Sequence, residues 1–309
     1  MVLLALDWGT SSLRGALLAA DGTVIEECSF ARGILTVEKG GFPALFDSLF
    51  GDWMQPGTLC LIAGMAGSQQ GWLEAPYCPC PAGFAEIAAG LAWVDQNRIA
   101  IVPGLSIEKQ GTPDVMRGEE TQLFGALQRL GLHDACMVLP GTHSKWVTVT
   151  DRRVTDFSTW MTGEFYALLR EHSILARTLP AFSPTNNSVN APALEPAAFE
   201  QGVAHALRGD GLLHTAFSTR TLSLFKRLPE EALPSYLSGL VIGEELKCQT
   251  LLPGQTVVII GSETLAVRYA LALRLMGVPV QRADGSAAWY GLRAIANTLN
   301  HPKTHLNRL

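Results

Sequence analysis

The stretch from Ala5 to Leu18, A-L-D-W-G-T-S-S-L-R-G-A-L-L, sets one carboxylate, Asp7, just ahead of a turn of small donors, Gly9, Thr10, Ser11 and Ser12. Such a turn suits a polyphosphate. Glycine lets backbone N–H groups approach phosphate oxygens, the hydroxyls of Thr10 and Ser11 add donors, and Asp7 can hold a hydrated Mg²⁺ that offsets phosphate charge. Ordinary hairpins carry the same residues, so a second copy matters. It lies in M-V-L-P-G-T-H-S-K-W-V-T-V, Met137 to Val149, where Gly141, Thr142 and Ser144 repeat Gly9, Thr10 and Ser12. Asp151-Arg152-Arg153 then follows the second copy much as Asp21-Gly22 follows the first. Leu139 stands where Asp7 does in the first copy, so the first loop is expected to serve metal and phosphate and the second phosphate alone. His143 and Lys145 sit in and just after that second turn, where backbone donors are expected to matter more than either side chain.

Three other stretches carry candidate chemistry. In D-V-M-R-G-E-E-T-Q-L-F-G-A-L-Q-R-L-G, Asp114 to Gly131, the acids Glu119 and Glu120 open a helix whose Leu123, Leu127 and Leu130 share a face. Either they only stabilise the positive end of that helix, or one faces the site and accepts a proton from a substrate hydroxyl, with Asp114 as the alternative base. G-M-A-G-S-Q-Q-G-W, Gly64 to Trp72, follows a buried strand expected at 58–63. It reads as a ligand loop offering Ser68, Gln69, Gln70 and Trp72, or as a glycine-rich turn whose Trp72 covers a core edge. Gly261-Ser262 lies between an apolar strand at 256–260 and a helix at 264–276, a junction that leaves room for a ribose or base and sets a helix N-terminus toward phosphate.

The elements that must position these residues follow from pattern. Each repeat reads as a strand, a tight turn and a returning strand, with two or three antiparallel strands opening each half. A repeat at this separation is too long for a solenoid unit and fits two related domains, 1–134 and 135–309. A helix is expected over 41–52, a polar connection over 104–111, a loop over 183–196, and largely helical chain from 196 to 252. Small residues in 237–246 suit close helix packing. A last strand is expected at 278–282, and Ala283-Asp284-Gly285-Ser286 is expected to cap a final helix.

Composition bounds the rest. The chain has 309 residues, 48% hydrophobic and 17% charged, enough for about two domains. No apolar run approaches the roughly 18 residues of a membrane span. The start reads as a strand, without a basic region or cleavage pattern, so a cytoplasmic protein is expected. A net charge of −5 with dispersed basic residues argues against nucleic acid as a partner. Six scattered cysteines form no metal-ligand set and read as free thiols. No G-x-x-x-x-G-K-[ST] occurs, which excludes a P-loop enzyme.

Two phosphate hairpins, an acid-bearing helix between them and the late strand-Gly-Ser-helix junction together resemble the actin-like ATPase superfamily. The stretches I-A-G-M-A-G-S-Q-Q-G-W-L-E-A-P-Y, D-V-M-R-G-E-E-T-Q, L-P-G-T-H-S-K-W and W-M-T-G-E resemble, more narrowly, signatures of the 2-dehydro-3-deoxygalactonokinase family. The resemblance implies an α/β fold of two related ribonuclease H-like domains, with mixed sheets flanked by helices and a cleft between them. It implies ATP-dependent phosphorylation of 2-dehydro-3-deoxy-D-galactonate at its terminal hydroxyl. Asp7 would then hold Mg²⁺, Gly9, Thr10 and Ser11 and Gly141, Thr142 and His143 would form the phosphate loops, and Gly261 and Ser262 would contact adenosine. The Glu119-Glu120 pair also resembles paired glutamates of exopolyphosphatases in the same superfamily. A phosphohydrolase of that type and a nucleotide-dependent binding switch are the competing readings, and a homodimer stays open.

Overall fold

A strand with neighbours on both edges must be apolar on both faces, and β1 (Leu3–Trp8), LLALDW, is buried along almost its whole length. β2 (Leu13–Leu18) returns antiparallel beside it, and β3 (Val24–Phe30) pairs antiparallel with β2. The computed structural model describes residues 1–180, 193–283 and 286–300. The helix expected over 41–52 is α1 (Phe42–Phe50), which buries Phe42, Phe46 and Phe50, four residues apart, in one cluster with Leu4, Leu6 and Trp8. β4 (Leu59–Gly64) lies parallel to β1 on its other edge.

Beyond β4 come β5 (Tyr77–Pro79), α2 (Phe84–Ala89), β6 (Ala92–Asp95), β7 (Ile99–Ile101), β8 (Gly104–Lys109) and β9 (Thr112–Met116). The first sheet runs β3-β2-β1-β4-β7-β6, and β5-β8-β9 form a small sheet of their own. The stretch 104–111 is therefore a strand and a turn, not a polar connection. Gln110 and Gly111 both take positive φ, 51° and 79°, the backbone that joins two antiparallel strands through a two-residue loop. Polar residues at Ser106, Glu108 and Lys109 hide this strand from a hydropathy reading.

α3 (Glu119–Leu130) starts at Gly118 and ends on Gly131 in the left-handed region, φ 63°, a common helix stop. The second sheet then repeats the wiring of the first. β10 (Ala135–Leu139) lies between β11 (Ser144–Thr150) and β13 (Val257–Ile260), β12 (Arg153–Trp160) flanks β11, and β14 (Val280–Ala283) closes the order β12-β11-β10-β13-β14. β13 is parallel to β10 as β4 is to β1. The expected α/β class of two related units with mixed sheets is thus what the chain adopts.

Between β12 and β13 lie α4 (Thr162–His172), α5 (Pro196–Leu207), α6 (Leu212–Thr215), α7 (Ser218–Leu224) and α8 (Leu233–Lys247); α9 (Glu263–Leu275) and α10 (Ala287–Asn300) complete the chain. The small residues of 237–246 do serve close packing, since a Cβ on Gly239 would lie 2.1 Å from the Phe199 carbonyl oxygen of α5. Most of the loop expected over 183–196, and Asp284 and Gly285 of the expected cap, lie outside the described residues.

The described residues form two compact units, 1–135 with 147–157 and 286–300, and 136–146 with 158–180 and 193–283. A single cut at 134/135 does not describe this interleaving, and two packing facts explain it. The turn between β11 and β12 is held by first-unit residues, with Arg152 N–H donating to His133 O (2.7 Å) and Val154 bridging Ala82. α10 packs on α3 so closely that a Cβ on Gly125 would lie 1.6 Å from the Ala287 oxygen, and one on Gly291 1.9 Å from the Thr121 oxygen. Gly125→Ala must therefore force the two helices apart, and we expect a loss of ~3 kcal/mol, read as a lower urea midpoint. No helix among the described residues is long and apolar enough to cross a membrane.

Candidate active site

Parallel pairing sets the first group of residues. Register places Asp7 beside Ala63 and Trp8 beside Gly64, so both strands end at one edge of the first sheet. Gly64 has φ 89°, and a Cβ there would lie 2.8 Å from Trp8 O and 3.3 Å from Asp7 Oδ1. Gly118, φ 105°, brings the start of α3 to the same point, because its own Cβ would lie 3.2 Å from Gly64 Cα. Two glycines thus let Asp7 and the Glu119-Glu120 pair converge on one sheet end.

The first turn is shaped by its own backbone. Gly9 N–H donates to Ser12 O (2.9 Å), Ile34 N–H donates to Gly9 O (3.0 Å), and Leu35 N–H donates to Thr10 O (3.3 Å). Gly9 therefore supplies turn shape, and the exposed side chains of Thr10, Ser11 and Ser12 supply donors. Asp7 accepts an ion-paired hydrogen bond from Arg14 Nη2 at 2.5 Å. Arg14 was not among the expected site residues, although a four-residue turn over 9–12 sets it directly opposite Asp7. Among the described residues no three His, Cys, Asp or Glu side chains gather as a metal cluster. A cation at Asp7 would rest on one carboxylate plus water and phosphate oxygens, a donor set that suits Mg²⁺.

The two adjacent glutamates have separate environments. Glu119 is half-buried and accepts from Arg117 N–H at 3.1 Å. Glu120 has no exposure, and its Oε2 accepts from Gly118 N–H at 2.6 Å while Oε1 finds no partner among the described residues. Burial, and next the neighbouring Glu119 charge, push the Glu120 carboxyl up to about 8. Asp114 lies on β9, its Oδ1 accepting from Val115 N–H at 2.8 Å.

The Gly64–Trp72 stretch begins as a tight turn over Met65–Gly67. Ser68 Oγ donates to Met65 O at 2.8 Å, so it shapes the turn, whereas Gln69 and Gln70 are exposed. Trp72 packs on Phe46, ring centroids 5.3 Å apart, and beside Phe42 and Trp8. It closes the edge of the core, one of the two roles open to it from sequence.

The second unit repeats the arrangement with different partners. The start of α4 fits against the second turn: a Cβ on Gly163 would lie 2.5 Å from Gly141 O, and Glu164 N–H donates to Thr142 O at 3.0 Å. His143 is tied through Nε2 to Glu164 Oε2 at 2.6 Å. Ser144 and Lys145 are both buried. Gly261 follows β13 beside Pro140, its Cβ position 3.5 Å from Pro140 O, and Ser262 caps α9 without a side-chain capping bond.

Sequence reasoning missed what lies behind this turn. Glu245, buried on α8, accepts from Trp146 Nε1 (2.7 Å), Tyr269 OH (2.7 Å) and Thr162 Oγ1, and Ser144 Oγ bonds Tyr269 OH at 2.8 Å. Burial raises the Glu245 carboxyl, against the pull of those donors. Next to the network is a cavity of about 170 Å³ whose walls include Gly141, Gly163, Tyr166, Arg268 and Tyr269. The signal available was the Glu244-Glu245 pair that follows the apolar run of α8, of which Glu244 pairs with Lys247 and Glu245 turns inward.

A sequence profile for 2-keto-3-deoxy-galactonokinase matches residues 7–295. A protein of Rhizobium meliloti, described as a probable 2-dehydro-3-deoxygalactonokinase, is 38% identical over 302 residues, covering 96% of each chain. The 2-dehydro-3-deoxygalactonokinase of Escherichia coli is 34% identical over 299 residues, covering 96% of this chain and 98% of its own. A crystal structure from Sinorhizobium meliloti, of a candidate 2-dehydro-3-deoxygalactonokinase, superposes with a TM-score of 0.84 at 36% identity, covering 96% and 99% of the two chains.

Proposed function

The chain belongs to the 2-keto-3-deoxy-galactonokinase family, and from that premise we propose that it transfers the terminal phosphoryl group of ATP to the 6-hydroxyl of 2-dehydro-3-deoxy-D-galactonate. The observation that carries the reading is the convergence of Asp7, the donor turn at 9–12 and the acid-bearing start of α3 on one sheet end. Phosphoryl transfer asks for alignment and charge neutralisation more than covalent chemistry. The first unit is assigned the acceptor and, through Thr10 and Ser11, the terminal phosphate. The second is assigned the inner phosphates, at Gly141, Thr142 and His143, and adenosine, at Gly261 and Ser262.

Asp7 would hold Mg²⁺, which when bound neutralises phosphate charge. Glu119 is the base that accepts the proton of the attacking hydroxyl, since it is the half-buried member of the pair and Glu120 is fully buried. Gln69 and Gln70 are assigned hydrogen bonds to acceptor hydroxyls. We place the activity in the cytoplasm, where ATP is abundant and where six free thiols are stable.

The test is ADP release by purified protein with Mg²⁺ and ATP, with the galactonate-derived acid, its gluconate-derived epimer, or no acceptor. A rate stimulated strongly and selectively by the galactonate-derived acid is expected. Equal ATP hydrolysis with and without acceptor would instead favour a phosphohydrolase.

A further inference from the structure

A kinase for a sugar acid must accommodate a carboxylate at the end of the acceptor remote from the reacting hydroxyl. The exposed glutamines of the acceptor loop bring no charge, and Arg14 is engaged with Asp7. Arg117 is the guanidinium that lies against the acceptor loop. Its side chain passes Gly67, where a Cβ would stand 2.8 Å from Nη1, and it donates through Nη2 to Ala75 O at 2.8 Å. It also lies over the Tyr77 ring, 4.3 Å from the centroid. The other two nitrogens, Nε and Nη1, are buried and find no hydrogen-bond partner among the described residues. A guanidinium with two nitrogens, three N–H donors in all, unpaired and removed from water is costly, and a buried orphan of this kind asks for a ligand.

We propose that Arg117 is the residue that binds the carboxylate of the sugar-acid acceptor. The inference rests on the kinase reading given above and adds its specificity for an acid. Three features favour this residue. Arg117 N–H orders Glu119, so the same residue touches the base and the segment expected to hold the acceptor. Tyr77 covers one face of the guanidinium and Ala75 O holds one edge, which leaves the unpaired nitrogens as its remaining valence. Gly67 stands against Nη1 in this structure, so in this proposal the carboxylate reaches the guanidinium when that turn shifts and gives the buried donors an anionic acceptor.

The experiment measures KM and kcat for the sugar acid and for its uncharged C1 amide, in the unaltered protein and in R117Q and R117K. The expected result is a KM for the acid raised ~30-fold or more in R117Q, with kcat within ~5-fold. R117K, which keeps the charge and loses the planar fork, is expected to lie between. The amide should bind the unaltered protein about as poorly as the acid binds R117Q, and R117Q should add no further loss for the amide. If R117Q is not recovered folded by circular dichroism, R117K against the two acceptors carries the same comparison. Equal KM increases for acid and amide, or no increase for either, would overturn the proposal and leave Arg117 as a structural clamp on the 67–75 segment. The kinase reading fails separately, by the absence of acceptor-dependent ADP release from the unaltered protein.

Discussion

Asp7→Asn is expected to lower kcat by roughly 10³-fold or more while the protein stays folded. Asn has the size and shape of Asp, so β1 and its contact with Gly64 survive the change. What disappears is the one negative charge that a hydrated cation could share with the phosphate oxygens. The ion pair with Arg14 is lost as well, but its side chains are 20% and 37% exposed, so it contributes only ~1 kcal/mol or less to stability. Steady-state ADP release at saturating substrate, paired with thermal melting, separates the two effects. A melting temperature near that of the unaltered protein with kcat down by three orders of magnitude is the expected pair. Full activity in Asp7→Asn would remove this carboxylate from the mechanism.

The donor turns were legible because the physics that makes them is local. Two copies of an apolar run, Gly-Thr and an alternating run announce the same strand and turn wherever they occur, and β1-β2 and β10-β11 follow. The close α5–α8 packing was legible in the small residues of 237–246. What stayed hidden depends on distance in the chain. Glu245 meets Trp146 and Thr162 across 99 and 83 residues, and no period or spacing announces such a meeting. The interleaved units depend likewise on α10 finding α3 through Gly125 and Gly291, two glycines that read in sequence only as weak helix formers. β8 was missed for a different reason: a strand in a small sheet can be polar over half its length when pairing, more than burial, holds it.

Periodicity alone does not choose between Glu119 and Glu120, because at about 100° per residue the two flank the stripe of Leu123, Leu127 and Leu130 by about 50° on either side. The fold makes the choice: Glu120 is buried with Leu123 and Leu127, and Glu119 stays half-buried. Glu119→Gln is therefore expected to cost ~10²–10⁴-fold in kcat, the usual worth of a general base, and Glu120→Gln less than ~5-fold. Equal, mild losses in both would move the base elsewhere, with Asp114 next to test.

Glu120 carries a second, independent signature. Its carboxyl is held up to about 8 in the folded chain, against 4.5 for an ordinary glutamate. Between those values the unfolded chain has given up the proton and the native one retains it. Stability therefore falls as pH rises through that window, by up to ~1.4 kcal/mol per pH unit, and levels off above it. Glu120→Gln keeps an oxygen for Gly118 N–H and has no proton to lose. Its melting temperature should be close to that of the unaltered protein near pH 5 and higher by ~5 °C or more near pH 8, measured from pH 5 to 9. A gap that does not widen with pH would mean that Glu120 ionises freely in the native state, and the carboxylate so formed would return it to contention as the base.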